Sequence, residues 1–545
     1  MQQLGEREVV LALAIALPLG ALVLGFCKGR RSRSRGRSMS FGSGYMSIGS
    51  WPRDVKMSDP IITAFVFLDG VPKLADLEEV CSKILRHDNF KALPVRRAWS
   101  YSTRFEWRDI EVDPSEVITS VKAEGSAAVL AEMDRVKDTP LRQATFDGRD
   151  LPMWGLHLIE NTAEDEAGIG AAVLALRVHH TLGDGMSMVA VGRSVLEAAG
   201  GGELGASLGG SSAADAVVKP ANRGLSKFSA GEILRGIRDV LVLSSAGPDT
   251  PLPFGHFEAP LKGGAAAAHP PRKGFLFGSK RGAFSGRRRT VLLPDIPLAL
   301  VKKMKDVSGT TVNDVVMTLI GGCIRRYSQT NGDADDDAAG NKIGGPGFRS
   351  RALVPVALPR PSSSSGAILC NKWAFVSMNL SMDEADPATR LQEVKATTMA
   401  VKTSPTPGLQ YLMQTHLMPH LPLWLCREMV HGALATHTVA VSNVPGPQEP
   451  LRLAGVGIRR FHFTFSNIMP QVDAVSLDGK ISINFVIDPI SVPDSFTLST
   501  HFLDELESLA AGLGVEISGD MSTLRTQADE LARVMQSALT APMSY

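Results

Sequence analysis

The sequence predicts an α/β protein of at least two packed units, and three observations predict it. The chain has 545 residues, beyond the roughly 250 to 300 at which single hydrophobic cores stop growing. Apolar runs of β character alternate with stretches of helical periodicity along most of its length. A Pro/Gly/basic stretch over 245–289 without sustained periodicity breaks that alternation near the middle.

The chain opens on Val9 to Phe26, an unbroken 18-residue apolar run. As a helix rising about 1.5 Å per residue it reaches about 27 Å, enough for one transmembrane span. The six basic residues of 28–37 follow without an acid, which by the positive-inside rule puts the bulk of the chain on the cytoplasmic side. A single-pass endoplasmic reticulum protein is the expectation. A plastid is the alternative, because no acidic residue occurs between Glu8 and Asp54. A cleaved signal peptide fits less well, since its basic residues normally precede the apolar run. Residues 30–50, rich in Arg, Ser and Gly, read as a flexible tether. Segment 1–50 is thus an anchor and a basic tether, and the folded part starts near Trp51.

Within a first half over 51–225, Ile61 to Leu68 reads as a strand closed by Asp69-Gly70, and Lys73 to His87 as a helix. Ala171 to Val178 is a buried-strand pattern, with Ser187 to Ala198 as the helix after it. Residues 199–222 and 226–289 read as linkers and crossover loops. The second half, 290–545, starts with a strand at Arg289 to Leu293 and a helix capped at Thr310 or Thr311 that runs to about Ser328. After an acidic Gly-rich loop (331–348), strands are expected at Ala352 to Ala357, Trp373 to Leu380, Thr438 to Ser442 and Arg460 to Phe465. A hairpin at Ala474 to Leu477 and Ile481 to Ile487 turns on Asp478-Gly479, and a terminal helix begins at Asp494.

Hydrophobic residues make up 44% and charged residues 21%, and the formal charge of +1 gives no global pull toward nucleic acid. The five cysteines, Cys27, Cys81, Cys323, Cys370 and Cys426, are scattered without metal-ligand spacing. That argues against zinc sites and a disulfide scaffold.

The sharp signal is His179-His180-Thr181-Leu182-Gly183-Asp184-Gly185, placed directly after the buried strand. Acyl transfer to a hydroxyl needs a base of near-neutral pKa within hydrogen-bond reach of the alcohol, and histidine suits it. Asp184, followed by Gly185 where the chain is expected to turn sharply, can hold the loop by anchoring an arginine or backbone donors. A metal reading is weak, because neighbouring residues on a strand point to opposite faces and no third ligand stands at a zinc-like spacing. A purely structural histidine pair leaves the Asp-Gly spacing unexplained.

This HHxxxDG heptapeptide resembles the active-site motif of the condensation-domain and CoA-dependent acyltransferase superfamily, and specifically of the wax ester synthase/diacylglycerol acyltransferases. Leu151-Pro152-Met153-Trp154, Thr311-Val312-Asn313-Asp314-Val315, Arg351 to Val356 and Ser442 to Pro447 resemble further stretches of that family in the same order. The likeness runs from about residue 55 to the C-terminus. It implies two chloramphenicol-acetyltransferase-like α/β sandwich halves with a substrate tunnel between them. It also implies acyl-CoA as co-substrate, a long-chain alcohol or diacylglycerol as acceptor, and no metal or prosthetic cofactor. By that resemblance His180 is the general base, His179 packs or orients it, and Arg351 partners Asp184. Pro152 and Trp154 shape the tunnel wall, and Asn313 and Asp314 either take part directly or cap a helix. A condensation-type enzyme acting on another alcohol or amine, and a non-catalytic lipid-binding protein of the same fold, are the alternatives.

Departures from the simpler members are the N-terminal anchor and the enlarged loops. Arg287, Arg288 and Arg289, with Arg272, Lys273, Lys280 and Arg281 before them, could bind CoA phosphates or anionic headgroups, or form a solvated loop. His416 to Leu425 reads either as a membrane-contacting segment or as a core helix.

Overall fold

The computed structural model describes residues 37–47, 59–96, 105–145, 148–198, 228–245, 247–254, 272–273, 280–281, 287–331, 343–358, 362–363, 366–367, 369–517 and 520–539. The apolar run Val9 to Phe26, nearly all of the basic run behind it, the 199–222 loop and most of 245–289 lie outside these residues.

Strand β1 (Arg37–Ser38) and helix α1 (Phe41–Ser47) come first, then β2 (Ile61–Leu68), α2 (Leu74–Ile84), β3 (Ala92–Arg96), β4 (Phe105–Asp109) and β5 (Ile118–Ala123). Helix α3 (Ser126–Asp138), β6 (Trp154–Asn161), β7 (Ala172–His179), α4 (Gly185–Val195) and β8 (Leu196–Ala198) follow. The middle of the chain supplies α5 (Ala230–Ser245), β9 (Arg289–Leu292), β10 (Ile296–Pro297), α6 (Leu298–Ser308) and α7 (Val312–Asn331). Then come β11 (Arg351–Ala357), β12 (Trp373–Asn379), α8 (Pro387–Thr403), α9 (Thr406–Leu412), α10 (Leu423–Ala435) and β13 (Val439–Pro445). The last elements are β14 (Leu451–Leu453), β15 (Val456–Phe465), β16 (Gln471–Leu477), β17 (Lys480–Ile487), α11 (Leu498–Gly512) and α12 (Asp520–Ala538).

Two large mixed sheets carry the α/β fold. The first runs β5-β6-β7-β2-β15-β14-β8, and the second β9-β17-β16-β13-β11-β12, with β10 also on β17. A small third sheet runs β1-β4-β3. Strands β14 and β15 come from residues 451–465, so the first sheet is completed by the second half of the chain. A division at about residue 290 therefore cuts through the packing. β15 lies antiparallel to β2, Phe465 opposite Ile62, and the apolar alternation of the two strands places their larger side chains on shared faces.

The second sheet buries one face on helices. Val441, Val472, Ala474, Ile483 and Phe485 pack with Leu319, Ile320 and Cys323 of α7 and with Phe502 and Leu506 of α11. Glu505 of α11 sits inside this helical layer, paired with the buried Arg390 of α8 and with Arg326 of α7 at 2.8 Å. Gly322 makes room for it: a Cβ there would collide with the Glu505 carboxylate. The opposite face is polar where it meets the first sheet. Arg460 pairs with Asp295 at 2.9 Å, Ser482 donates to the same carboxylate at 2.6 Å, His462 Nδ1 lies 3.1 Å from Asn484 Oδ1, and Gln471 donates to Asp473 at 2.7 Å.

Three expectations are corrected. The tether ends earlier than composition indicates, because residues 37–47 form β1 and α1 and Ser43 to Met46 are buried. The helix expected over Ser187 to Ala198 starts at Gly185 and stops at Val195, where the chain becomes edge strand β8 on β14. The terminal helix is two, α11 and α12, with a 3-10 turn over Ser495–Thr497 before them. Among the described residues no single helix is long and apolar enough to cross a membrane, and α6 with α7 passes that test only as a pair bent by 101°. The apolar residues of α7 are spent on the core just described.

Arg390→Ala leaves part of the Glu505 charge buried without its partner, and loss of one partner of a buried pair costs about 3 kcal/mol. A urea titration is expected to show that loss of stability; a change below about 0.5 kcal/mol, the level of an unremarkable surface substitution, would contradict this placement.

Candidate active site

Strand β7 is buried along nearly its whole length and runs straight into Thr181 and Leu182, which are fully buried too. The heptapeptide is therefore an interior loop whose backbone must find partners inside the protein. His179 donates its N–H to the Met153 carbonyl at 2.9 Å and His180 donates to Pro60 at 2.8 Å. The His179 ring is turned inward, with Nδ1 accepting from the Thr181 N–H at 3.2 Å. Burial, with a smaller push from His180, brings its pKa down to about 3, so this ring is neutral.

His180 sits half-buried at the wall of a cavity, its ring edge-on to Phe465 at 5.5 Å between centroids. Its Nδ1 is buried and has no hydrogen-bond partner among the described residues. Burial pushes its pKa below the ordinary imidazole value, while the Asp184 charge, its own backbone and the Asn371 amide act the other way.

Asp184 caps α4, accepting from the Ser187 N–H at 3.1 Å and the Ser187 hydroxyl at 3.3 Å through Oδ1. Its Oδ2 accepts from the Lys372 N–H at 2.9 Å. Of the two partner types expected, backbone donors hold it. The tight glycine is Gly183, where a Cβ would stand 2.5 Å from Ser187 Cβ. Gly185 does not make the sharp turn expected of it: it opens α4, and a Cβ there meets nothing within 4 Å. It faces the cavity.

A strap over 369–372 closes the loop from outside, and sequence reasoning missed it. Ser187 Oγ donates to the Cys370 carbonyl at 2.9 Å and accepts from the Cys370 N–H at 3.1 Å. Asn371 donates to the His180 carbonyl at 2.7 Å. Asn89 bridges the Leu182 and Leu369 carbonyls at 3.0 and 3.2 Å. No local pattern announces these contacts, because the partners lie 93 to 280 residues apart.

The cavity has a volume of about 530 Å³. One arm lies between a face of the first sheet (Ile62, Ala64, Val66, Leu174, Leu176) and helices α2 and α4 (Val80, Ile84, Met188, Val195), and is apolar throughout. The other is walled by β13 and β16 and carries Ser442, Asn443, Asn467, Gln471 and Ser476. His180 and Asp184 belong to the same cavity. Among the described residues no three His, Cys, Asp or Glu side chains gather as a metal site would need.

Residues 369–510 match the family model described as the WS/DGAT C-terminal domain. That stretch carries a WS/DGAT C-terminal domain. Over 450 residues it is 26% identical to a Mycobacterium bovis protein named as a diacylglycerol O-acyltransferase, covering 77% of this chain and 85% of that one. The wax ester synthase/diacylglycerol acyltransferase 5 of Arabidopsis thaliana is 23% identical over 468 residues, 79% of this chain and 86% of that one. The solved wax ester synthase/diacylglycerol acyltransferase from Marinobacter aquaeolei VT8 shares the fold, with a TM-score of 0.50 at 15% identity over 88% of this chain and all of that one.

The remaining candidates fall elsewhere. Arg351 does not reach Asp184: it pairs with Asp249 at 2.6 Å and donates to the Gly247 and Thr436 carbonyls. Asp249 in turn accepts from the Thr438 N–H and hydroxyl, so the pair pins the starts of β11 and β13 together. Asp314 forms a reciprocal cap with Thr311, accepting from its N–H at 2.9 Å while its own N–H donates to Thr311 Oγ1 at 3.2 Å. That is the geometry of a helix cap. Asn313 accepts from Asn443 at 3.3 Å and so braces a residue of the cavity wall. Pro152 and Trp154 are not in that wall. Both are buried; Trp154 shares the face of the first sheet that carries Leu156 and Val178 but packs beside the cavity on Phe90, its indole donating to the Phe90 carbonyl at 2.8 Å. Arg288 and Arg289 are internal braces, bonded to the Asn467 carbonyl at 2.5 Å and to Ser495 Oγ at 3.1 Å. Within His416 to Leu425, Met418 packs inward while Trp424 is 54% exposed, so the stretch is neither wholly core nor wholly surface.

A double-mutant cycle on unfolding is expected to give Arg351→Ala and Asp249→Ala a coupling of about 1–3 kcal/mol, whereas Arg351→Ala and Asp184→Ala add to within about 0.5 kcal/mol. Strong coupling in the second cycle would overturn the reassignment of Arg351.

Proposed function

We propose that this chain transfers a long-chain acyl group from acyl-CoA to the hydroxyl of a fatty alcohol or a diacylglycerol, with His180 as general base. The observation that carries the reading is a half-buried, neutral histidine opening on a largely apolar cavity next to a fixed carboxylate. The family relatives bearing diacylglycerol acyltransferase and wax ester synthase names support the same reaction.

In this mechanism His180 Nδ1 is shut in, which leaves Nε2 to take the proton of the acceptor hydroxyl. The hydroxyl oxygen attacks the thioester carbonyl and forms the ester bond as the C–S bond breaks. The imidazolium returns its proton to the departing sulfur, so free CoA leaves and the base is restored. Asp184 holds the loop and its charge favours the transient imidazolium. The apolar arm would receive the acyl or alkyl chain and exclude water that could hydrolyse the thioester.

The same reading includes a membrane anchor at Val9 to Phe26, supported by its length and the basic residues after it. The folded part would face the cytoplasm from the endoplasmic reticulum, with a plastid membrane as the alternative. Protease digestion of intact microsomes is expected to degrade the folded part; complete protection would contradict that orientation.

Acyl transfer from palmitoyl-CoA to hexadecanol and to diacylglycerol is expected to fall by roughly 100-fold or more in His180→Ala, with thermal unfolding unchanged. Equal activity in that variant would sink the base assignment. Because burial lowers the proton affinity of His180, kcat/KM is expected to hold as pH falls past 6.5 and to decline only through the lower folded value. A decline centred above 6.5 would contradict a desolvated base.

A further inference from the structure

The residues read from composition as a tether lie against the base loop. Arg37 sits opposite Trp107 in the small sheet and donates to Asn89 Oδ1 at 3.1 Å and to the Asp88 carbonyl at 3.0 Å. Asn89 is the residue that holds the Leu182 and Leu369 carbonyls. Helix α1 then crosses the loop itself. The fully buried Thr181, next to His180, donates from Oγ1 to the Ser43 carbonyl at 2.6 Å, and Ser47 Oγ stands 2.9 Å from the same hydroxyl. Asn371 joins the two, donating to Ser43 Oγ at 3.0 Å and to the His180 carbonyl at 2.7 Å.

The far side of α1 is fixed independently. Tyr45 is buried with Met418 and Cys426 in a small apolar cluster apart from the main cores, and Met46 reaches the cavity that His180 lines. Gly42 approaches Asn371 so closely that a Cβ would stand 3.1 Å from Asn371 Cβ and 3.2 Å from its carbonyl oxygen. A spacer needs none of this. Hydrogen bonds placed on the residue after the base, with a cavity-lining side chain from the same turn, are the arrangement of a supporting shell.

We propose that Arg37–Ser47 is a positioning element of the reaction site: it fixes the Thr181 hydroxyl and, through Asn371, the His180 backbone, and it closes one side of the cavity. The proposal rests on the assignment of His180 as base. It makes the N-terminal segment necessary to turnover itself, in addition to any part it has in attachment to a membrane.

The test uses the full chain with Gly42→Val, Tyr45→Ala and Tyr45→Phe, none of which alters a group that touches substrate. Gly42→Val wedges α1 away from Asn371, and Tyr45→Ala empties its anchor. Both are expected to lower kcat roughly 10- to 100-fold, as misplacement of a catalytic group does. KM for acyl-CoA should stay within about threefold, and Tm within about 3 °C. Tyr45→Phe keeps the packing, loses only a hydroxyl without a partner among the described residues, and is expected to restore kcat. Unchanged kcat in the first two variants overturns the proposal, and so does a loss that merely follows the folded fraction. Amide hydrogen exchange over 179–184 separates this inference from the proposed reaction. If the wild type transfers no acyl group, the function fails; the positioning contact still predicts that Gly42→Val speeds exchange at Thr181 and Leu182, and unaltered exchange there refutes it.

Discussion

The carboxylate of Asp184 is the contact on which the site is built. One oxygen satisfies the first turn of α4 and the other takes the Lys372 N–H, which leads directly into β12 of the second sheet. A single charged group therefore fixes the helix after the loop and ties the loop to the other half of the molecule. Hydrogen bonds to an ionised acceptor are about twice as strong as neutral ones. Removing this acceptor would leave interior N–H groups unpaired, which costs about 1–3 kcal/mol each. The strap bonds of Ser187, Cys370 and Asn371 gather around this anchor.

The two sheets meet through β15, which pairs with β2 in one sheet while its polar side chains face the other. Apolar layers tolerate small slides; a layer of paired polar groups does not, because a shift breaks discrete bonds in a low-dielectric interior. Arg460 with Asp295 and His462 with Asn484 thus fix the register of the halves, beside the Gln471 bond to Asp473 within β16. Burial, helped by Arg460, holds His462 near a pKa of about 4, and burial raises Asp473 well above the usual carboxylate range. Both groups are kept neutral where their charges would be costly. Gln471 carries this layer to the cavity wall, so the shape of the polar arm depends on inter-sheet register.

Legibility in the sequence followed how local each cause was. Ile61–Leu68 was readable residue for residue, because its apolar run and the Asp-Gly after it are local signals. The same holds for the heptapeptide, whose chemistry lies within seven positions, and for the Thr311 cap. Arg351 could not be assigned that way. Its partner Asp249 stands 102 residues away at the edge of a Pro/Gly-rich stretch with no periodicity. The Gly/Ser composition of 37–47 hid a docked segment, because its contacts are mostly backbone carbonyls and small hydroxyls that carry no hydrophobic pattern. Trp154 was misplaced for a related reason: an aromatic residue near a motif fits a cavity wall or a core equally well, and only its packing on Phe90 decides.

The burial that lines the cavity also sets the strength of the proposed base. Desolvation disfavours the imidazolium, so His180 stays ready to accept a proton at neutral pH, but the same desolvation opposes the charge that proton transfer creates. In the proposed reaction that charge exists only briefly, and Asp184 is already in place to favour it. The carboxylate cannot swing toward the ring to do so, because Ser187 and Lys372 hold both of its oxygens. Its help is therefore that of a fixed field, available without reorganisation when the proton moves. The clasp that joins the halves and the electrostatic support of the proposed base are one interaction, so any change that loosens the strap over 369–372 should weaken both together.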